Sequence, residues 1–469
     1  MLSEDILYLS AAELARKMEA RAISSVELTE SYLARAEKLG PKLNAFATLT
    51  PDLALEQAQT ADRQIKAGHY RGPLHGLPYA AKDLLAVKGY PTTWGAKLFA
   101  GQVFDYDAAV IEHMNRAGAV LIGKAAMIEL AGGLGYRFAS ASATGAAKNP
   151  WNTRCWTCGS SSGSAAIVSA ALAAWAIGSE TWGSIVCPAA FCGVTGLRPT
   201  FGRVSRYGAM ALTYSMDKIG PLARTADDCA LVLSVIAAHD PRDSSTLPLD
   251  RAAFAYSPAQ DLRAGPLRVG WVVNAWKDVQ PGVALAAKNA LSVLRKHVAS
   301  VKEARLPAGP WDEAGAIIVS VEAASAFEEL LSSGRAADLA DPLGQIGGYL
   351  NQQISGSDYL RADRVRALAQ KKMAAMFDEF DVLAAPTQPV AATPLETNLE
   401  TELSFPDPLG ALGNICGLPA LSVPCGFDEK RLPVGLLFVA RAGNDIAAVR
   451  AARAFQQFTA WHKRRPPIS

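Results

Sequence analysis

The stretch from Thr157 to Pro188 reads TCGSSSGSAAIVSAALAAWAIGSETWGSIVCP. It sets hydroxyls among small residues: Gly159, Ser160, Ser161, Ser162, Gly163 and Ser164, then a second Gly-Ser pair at Gly183 and Ser184. Such a density of serines suits nucleophilic attack on a carbonyl, and the glycines let backbone N–H groups approach a reacting atom closely. A serine hydroxyl needs a base to take its proton. The histidines, His69, His75, His113, His239, His297 and His462, all lie away from this stretch in sequence. Gly159-Ser160-Ser161-Ser162-Gly163 also lacks the G-x-S-x-G spacing of a nucleophile elbow, so a Ser-His-Asp arrangement is disfavoured. A lysine serves instead if burial lowers its pKa enough to leave it neutral. Lys82, between Tyr79-Ala80-Ala81 and Leu84-Leu85, is the lysine set in the most suitable apolar run. Two readings of it stand open on composition: a neutral base, or a cation paired with a buried carboxylate such as its neighbour Asp83.

Other chemistries find less support. The loop has no Gly-Lys-Ser/Thr to cradle phosphate, and no His/Glu cluster has metal spacing, so neither a metal nor another cofactor is expected. Cys155 and Cys158 form a lone C-x-x-C, read as two small side chains in a packed loop rather than a metal or redox pair. Seven cysteines scattered through the chain do not resemble a disulfide framework. Charged residues make up 19% and apolar ones 50%, which points to a globular chain with a large core. A net charge of +2 without a basic block gives no case for nucleic acid or an anionic membrane. The opening residues make a poor signal peptide, and the apolar runs are too short or too broken to span a bilayer, so a cytoplasmic protein is expected.

The elements that must carry these residues alternate. Capping boxes at Ser10/Glu13 and Ser24/Glu27 predict two helix starts, the second helix stopping at Gly40-Pro41. A helix over Pro51–Ala67 precedes a strand within Gly76–Leu85, which carries Lys82. The helix Val110–Ala117 and the apolar strand Ala119–Gly123 follow, and the run from Ala165 to Ala176 has the composition of a buried helix. Further on, a strand-turn segment at Gly193–Thr200 and a helix at Thr225–Ala238 lead to Asp240–Gly265, a Pro/Asp/Ser-rich candidate linker. A strand at Leu267–Val273, helices at Val283–Val298, Trp311–Leu331 and Tyr359–Phe380, strands at Val382–Thr387 and Ala420–Pro424, and a helix from about Asp445 to Phe458 complete the chain. This alternation predicts an α/β fold with helices on both faces of a sheet.

The motifs resemble those of the amidase signature family. They run in order from Gly76-Leu77-Pro78 with Lys82-Asp83 and Asn149-Pro150-Trp151, through Gly159 to Ser164, Gly183-Ser184-Ile185 and Pro188 to Gly193. Gly196 to Arg203, Gly220 to Arg224, Pro386-Thr387, Gly417-Leu418-Pro419-Ala420, Ser422 to Gly426 and Leu432 to Gly435 continue them. The resemblance implies one domain over 1–469 with a mixed, twisted sheet, a signature core at about 70–230 and a helical excursion at about 275–380. It implies Ser184 as nucleophile, Ser160 after a cis peptide bond as proton relay, and Lys82 as general base. Backbone N–H groups of Thr181, Trp182, Gly183 and Ser184 would form the oxyanion hole, with Ser161 as a supporting hydroxyl beside Lys82. The chain departs from the family pattern at Cys158 and Ser162, where glycines are usual. It departs again at Glu180, Trp182 and Val186, which stand at the Asp, Gly and Arg positions.

The function implied is cofactor-free hydrolysis of amide-type C–N bonds in a small-molecule amide, anilide or carbamate, by a monomer or homodimer. Tyr136, Phe138 and Trp156 are candidate walls of an aromatic-friendly pocket, as is the indole of Trp182. The alternative is the amidase component of a glutamine-dependent tRNA amidotransferase, which works with partner subunits.

Overall fold

The computed structural model describes residues 1–248, 256, 267–297, 299–403 and 405–468. Its strands are β1 (Phe46–Leu49), β2 (Pro78–Lys82), β3 (Val120–Ala125), β4 (Lys148–Asn149), β5 (Asn152–Trp156), β6 (Trp175–Glu180) and β7 (Thr195–Arg198). They continue with β8 (Lys218–Ala223), β9 (Leu267–Val272), β10 (Ala299–Ala304), β11 (Val382–Pro386), β12 (Ala420–Phe427) and β13 (Pro433–Ala440). All but the β4–β5 pair join one mixed sheet in the order β1-β3-β2-β6-β8-β7-β12-β13-β11-β9-β10. β3, β2 and β6 run parallel, β8 turns antiparallel to β6, and β10, β9 and β11 form a second parallel group. Every residue of β2, β3, β7, β8 and β11 is buried, the pattern of strands covered on both faces. The fold is α/β, as the alternation of elements predicts.

Both capping boxes form, opening the helices Ala11–Glu19 and Ser25–Leu43. The second helix passes the expected stop, with Pro41 inside it. Leu39, Gly40 and Leu43 are buried, so packing holds the last turn across the N–H that proline lacks.

The Ala-rich run is not one helix. The helix spans Ser162–Ser169, the chain reverses at Ala171 with φ 54°, and Trp175 and Ala176 begin β6. Strand pairing of Tyr79 with Trp175 and of Ala176 with Leu222 overrides the helix propensity of alanine. This break brings the end of β6 beside the end of β2.

The described start of the candidate linker, residues 240–248, is more structured than its composition suggests. Asp240 and Asp243 are buried and bind Arg242 and Arg206, while 249–255 and 257–265 lie outside the described residues. The expected helix Trp311–Leu331 divides into Trp311–Ala326 and Glu328–Ser332, the helix Pro342–Asn351 lies in the expected helical excursion without an individual expectation, and strand β13 had no sequence expectation. No described helix is long and apolar enough to cross a membrane.

Candidate active site

Three chain segments converge at the ends of β2 and β6. Lys82 is the last residue of β2 and is fully buried. The loop before the helix Ser162–Ser169 supplies Ser160 and Ser161. The end of β6 supplies Ser179 and then the turn Thr181 to Ser184. Lys82 Nζ lies 2.7 Å from Ser160 Oγ, 3.0 Å from Ser161 Oγ and 3.0 Å from Ser179 Oγ. Of the two readings open for Lys82, pairing with Asp83 is not what forms: Asp83 binds Lys124 at 2.9 Å and Thr93. The Gly159–Ser160 peptide bond is cis. The backbone N–H of Ser161 donates to the carbonyl of Ser184 at 3.2 Å, tying the two serine-bearing loops together.

Burial pushes the Lys82 ammonium down to about 7, against the charges of Asp217 and Glu180, which favour the protonated form. A lysine in that range supplies a useful neutral fraction at neutral pH.

The second loop is a tight turn with a built support. Gly183 has φ +79°, a conformation glycine adopts without steric penalty. Glu180 Oε2 accepts from the N–H groups of Ile185 at 2.9 Å and Val186 at 3.0 Å, and Oε1 pairs with Arg198 at 2.7 Å. Burial raises the Glu180 carboxyl, but Arg198, Lys218 and these hydrogen bonds outweigh it and hold it below its ordinary value. Glutamate at the family's aspartate position is therefore engaged, caging the backbone just after Ser184. Thr181 Oγ1 donates to Asp217 Oδ1.

The remaining departures have visible places. The Trp182 indole packs against the helix Trp311–Ala326, where a Cβ on Gly315 would sit 2.6 Å from its ring. Its Nε1 donates to Asp407 at 3.1 Å. Val186 belongs to the same apolar cluster that Trp182 packs against. Ser162 opens its helix, and the following Gly163 is fixed by close approach: a Cβ there would lie 2.3 Å from the carbonyl of Ala45. Cys158, with φ 64°, is disulfide-bonded to Cys187, while Cys155 is free. This corrects the expectation of a chain without disulfides. The partner of Cys158 lies 29 residues on rather than in the C-x-x-C pair, a pairing that only the fold brings together.

Tyr136 and Trp156 pack edge to face, 6.3 Å between centroids, against the Gly159 peptide, where a Cβ would meet Trp156 at 3.0 Å. The Phe138 N–H donates to Asp341 at 3.1 Å. A cavity of about 220 Å³ reaches Ser179, Thr181 and Asp217 through Leu84, Met210 and Leu212, and none of these aromatics lines it. Sequence reasoning missed Ser179, Asp217 and Asp407. Ser179 had a signal in its place beside Glu180 in the GSETWGS run; the two aspartates had none short of the fold.

A family model described as Amidase matches residues 27–448. The chain belongs to the amidase signature family. Among curated relatives, the A-type subunit of the glutamyl-tRNA(Gln) amidotransferase of Chloroflexus aggregans is 37% identical over 490 residues, covering 99% of each chain. Among solved structures, the native peptide amidase of Stenotrophomonas maltophilia shares 33% identity with a TM-score of 0.84, covering 98% of each chain. The corresponding glutamyl-tRNA(Gln) amidotransferase chain from Thermotoga maritima shares 26% identity with a TM-score of 0.81 over the full length of both. The family establishes C–N hydrolysis as the reaction class of this fold.

Proposed function

We propose that this chain cleaves an amide-type C–N bond through an acyl-enzyme on Ser184. The observation that carries the reading is the buried Lys82 Nζ set 2.7 Å from Ser160 Oγ. Neutral Lys82 takes the Ser160 proton as Ser160 takes that of Ser184, and Ser184 Oγ bonds to the substrate carbonyl carbon. The same relay returns the proton to the leaving nitrogen as the C–N bond breaks. Water then attacks the ester by the same route, releasing the acid and restoring Ser184. Backbone N–H groups from Thr181 to Ser184 stabilise the oxyanion, a kind of donor worth roughly 3–4 kcal/mol each.

Two substrate readings follow. The curated relatives weigh toward the amidase component of a glutamine-dependent tRNA amidotransferase, which would release ammonia from glutamine for partner subunits. A free-standing hydrolase of linear amides, anilides or carbamates draws support from the peptide amidase likeness and from Cys158, Ser162 and Trp182 at positions where the family keeps glycine. The test is a panel of glutamine, primary amides, anilides and carbamates, run with and without the partner subunits of an amidotransferase and beside Ser184→Ala. Glutamine hydrolysis that rises on adding those subunits favours the first reading; turnover of anilides or carbamates by the chain alone favours the second. Turnover of any of them by Ser184→Ala at the wild-type rate overturns both.

A further inference from the structure

The turn that carries Ser184 is held on one side by Glu180, through the N–H groups of Ile185 and Val186. Its other side is held from β8. Glu180 pairs with Lys218 in the β6–β8 register, and this brings Asp217, the residue before β8, beside Thr181. Asp217 is fixed before it reaches the turn: Oδ2 accepts from the N–H groups of Leu212 at 2.8 Å and Thr213 at 2.9 Å. Oδ1 receives the Thr181 hydroxyl. A carboxylate with both oxygens engaged holds its partner in one place, and Thr181 is the first residue of the oxyanion turn. We propose that Asp217 is a positioning residue for this reaction, acting through the Thr181 hydroxyl to set the turn against Ser184 and Lys82.

The same carboxylate acts on Lys82 by charge. Burial lowers the Lys82 pKa; Asp217 and then Glu180 oppose that shift. Glu180 is compensated by direct contact with Arg198 and by the nearby Lys218. Burial raises the Asp217 carboxyl, against the hydrogen bonds from Thr181, Leu212 and Thr213 and the charge of Arg206, and Lys218 also feels its charge. Replacing Asp217 by a neutral amide therefore lowers the Lys82 pKa further. A residue that merely braced the 212–217 loop would not act through the Thr181 hydroxyl, so Thr181→Val would then label at the wild-type rate.

The inference rests on the Lys82–Ser160–Ser184 reading, and its test separates the two. An alkyl fluorophosphonate reports on the same machinery without a known substrate. Ser184 Oγ bonds to phosphorus, fluoride leaves with the P–F electron pair, and the proton passes through Ser160 to Lys82. Labelling rates are measured by intact mass from pH 5 to 9. Asp217→Asn should label about 10- to 100-fold more slowly at its plateau, the scale of a misplaced reacting group, with its acid limb moved to lower pH. Thr181→Val should be slowed with the limb in place, and Thr181→Ser, which keeps the hydroxyl that Asp217 holds, should label faster than Thr181→Val. Labelling of Asp217→Asn or Thr181→Val at the wild-type rate overturns the inference. If Asp217→Asn does not fold, the two Thr181 variants decide alone. Labelling of Ser184→Ala at the wild-type rate would sink the catalytic reading itself; an unlabelled Ser184→Ala beside a fully active Asp217→Asn would sink only this inference.

Discussion

At the scale of single residues, the site depends on the charge state of Lys82. A base must be neutral to accept a proton, and burial holds Lys82 at about 7. Below that value the ammonium dominates and the proposed relay would stop; above it the neutral amine accumulates. We therefore expect kcat/KM to rise with pH and level off above about 7. Lys82→Ala should lose most of the rate and abolish this limb. A pH profile of both proteins on one amide checks it, and an unchanged acid limb in Lys82→Ala would assign the titration to another group. The local sequence marks Lys82 as a lysine in an apolar run but leaves its partner open. Its partner is set by Ser160, Ser161 and Ser179, which are 78 to 97 residues away in sequence.

At the scale of elements, two supports lie behind the turn from Thr181 to Ser184, the proposed oxyanion hole. The Trp182 ring is seated on Gly315 of the helix Trp311–Ala326, with no room for a methyl group. Gly315→Ala should force the indole to move, with an overpacking penalty of about 1–3 kcal/mol and a fall in kcat from a position remote from the chemistry. Melting curves and steady-state rates check this; full activity with an unchanged melting temperature would mean the turn does not depend on the indole. The second support is the disulfide between Cys158, two residues before Ser160, and Cys187, three after Ser184. It closes a loop with a sequence separation of 29, and by loop-closure entropy the Cys158→Ala/Cys187→Ala variant should be less stable by about 3–4 kcal/mol. Denaturant titrations with and without reductant test it: reductant should bring wild type down to the variant and leave the variant unmoved.

At the scale of the whole molecule, Arg198 links the parts of the sheet that build the site. From β7 it pairs with Glu180 at the end of β6, and its Nε donates to the carbonyl of Leu418 just before β12 at 3.0 Å. Arg198→Met strands a buried carboxylate, a change on the scale of about 3–5 kcal/mol. Chemical denaturation should show that loss, with a larger fall in activity than for an exposed arginine such as Arg361. Stability equal to wild type would mean the Glu180 charge is compensated by Lys218 alone.

Residue types and spacing mark candidate groups and most of the elements that carry them, leave the role of Lys82 open, and reach a reaction class only through the motif resemblance. Serines without a nearby histidine, a lysine in an apolar strand, two capping boxes and the alternation of helix and strand are local properties, set by residue type and spacing over a few turns of chain. The ordered motifs add the family. Tertiary structure decided what depends on residues distant in sequence. The Ala-rich run breaks into helix and strand because Trp175 and Ala176 find partners in β2 and β8. Cys158 bonds Cys187 rather than joining Cys155, and Trp182 turns to Gly315 and Asp407. Asp217 meets Thr181 only through the register of β6 against β8. In each case the deciding energy comes from a pairing or packing contact between distant segments, and local sequence carries no record of which distant segment will supply it.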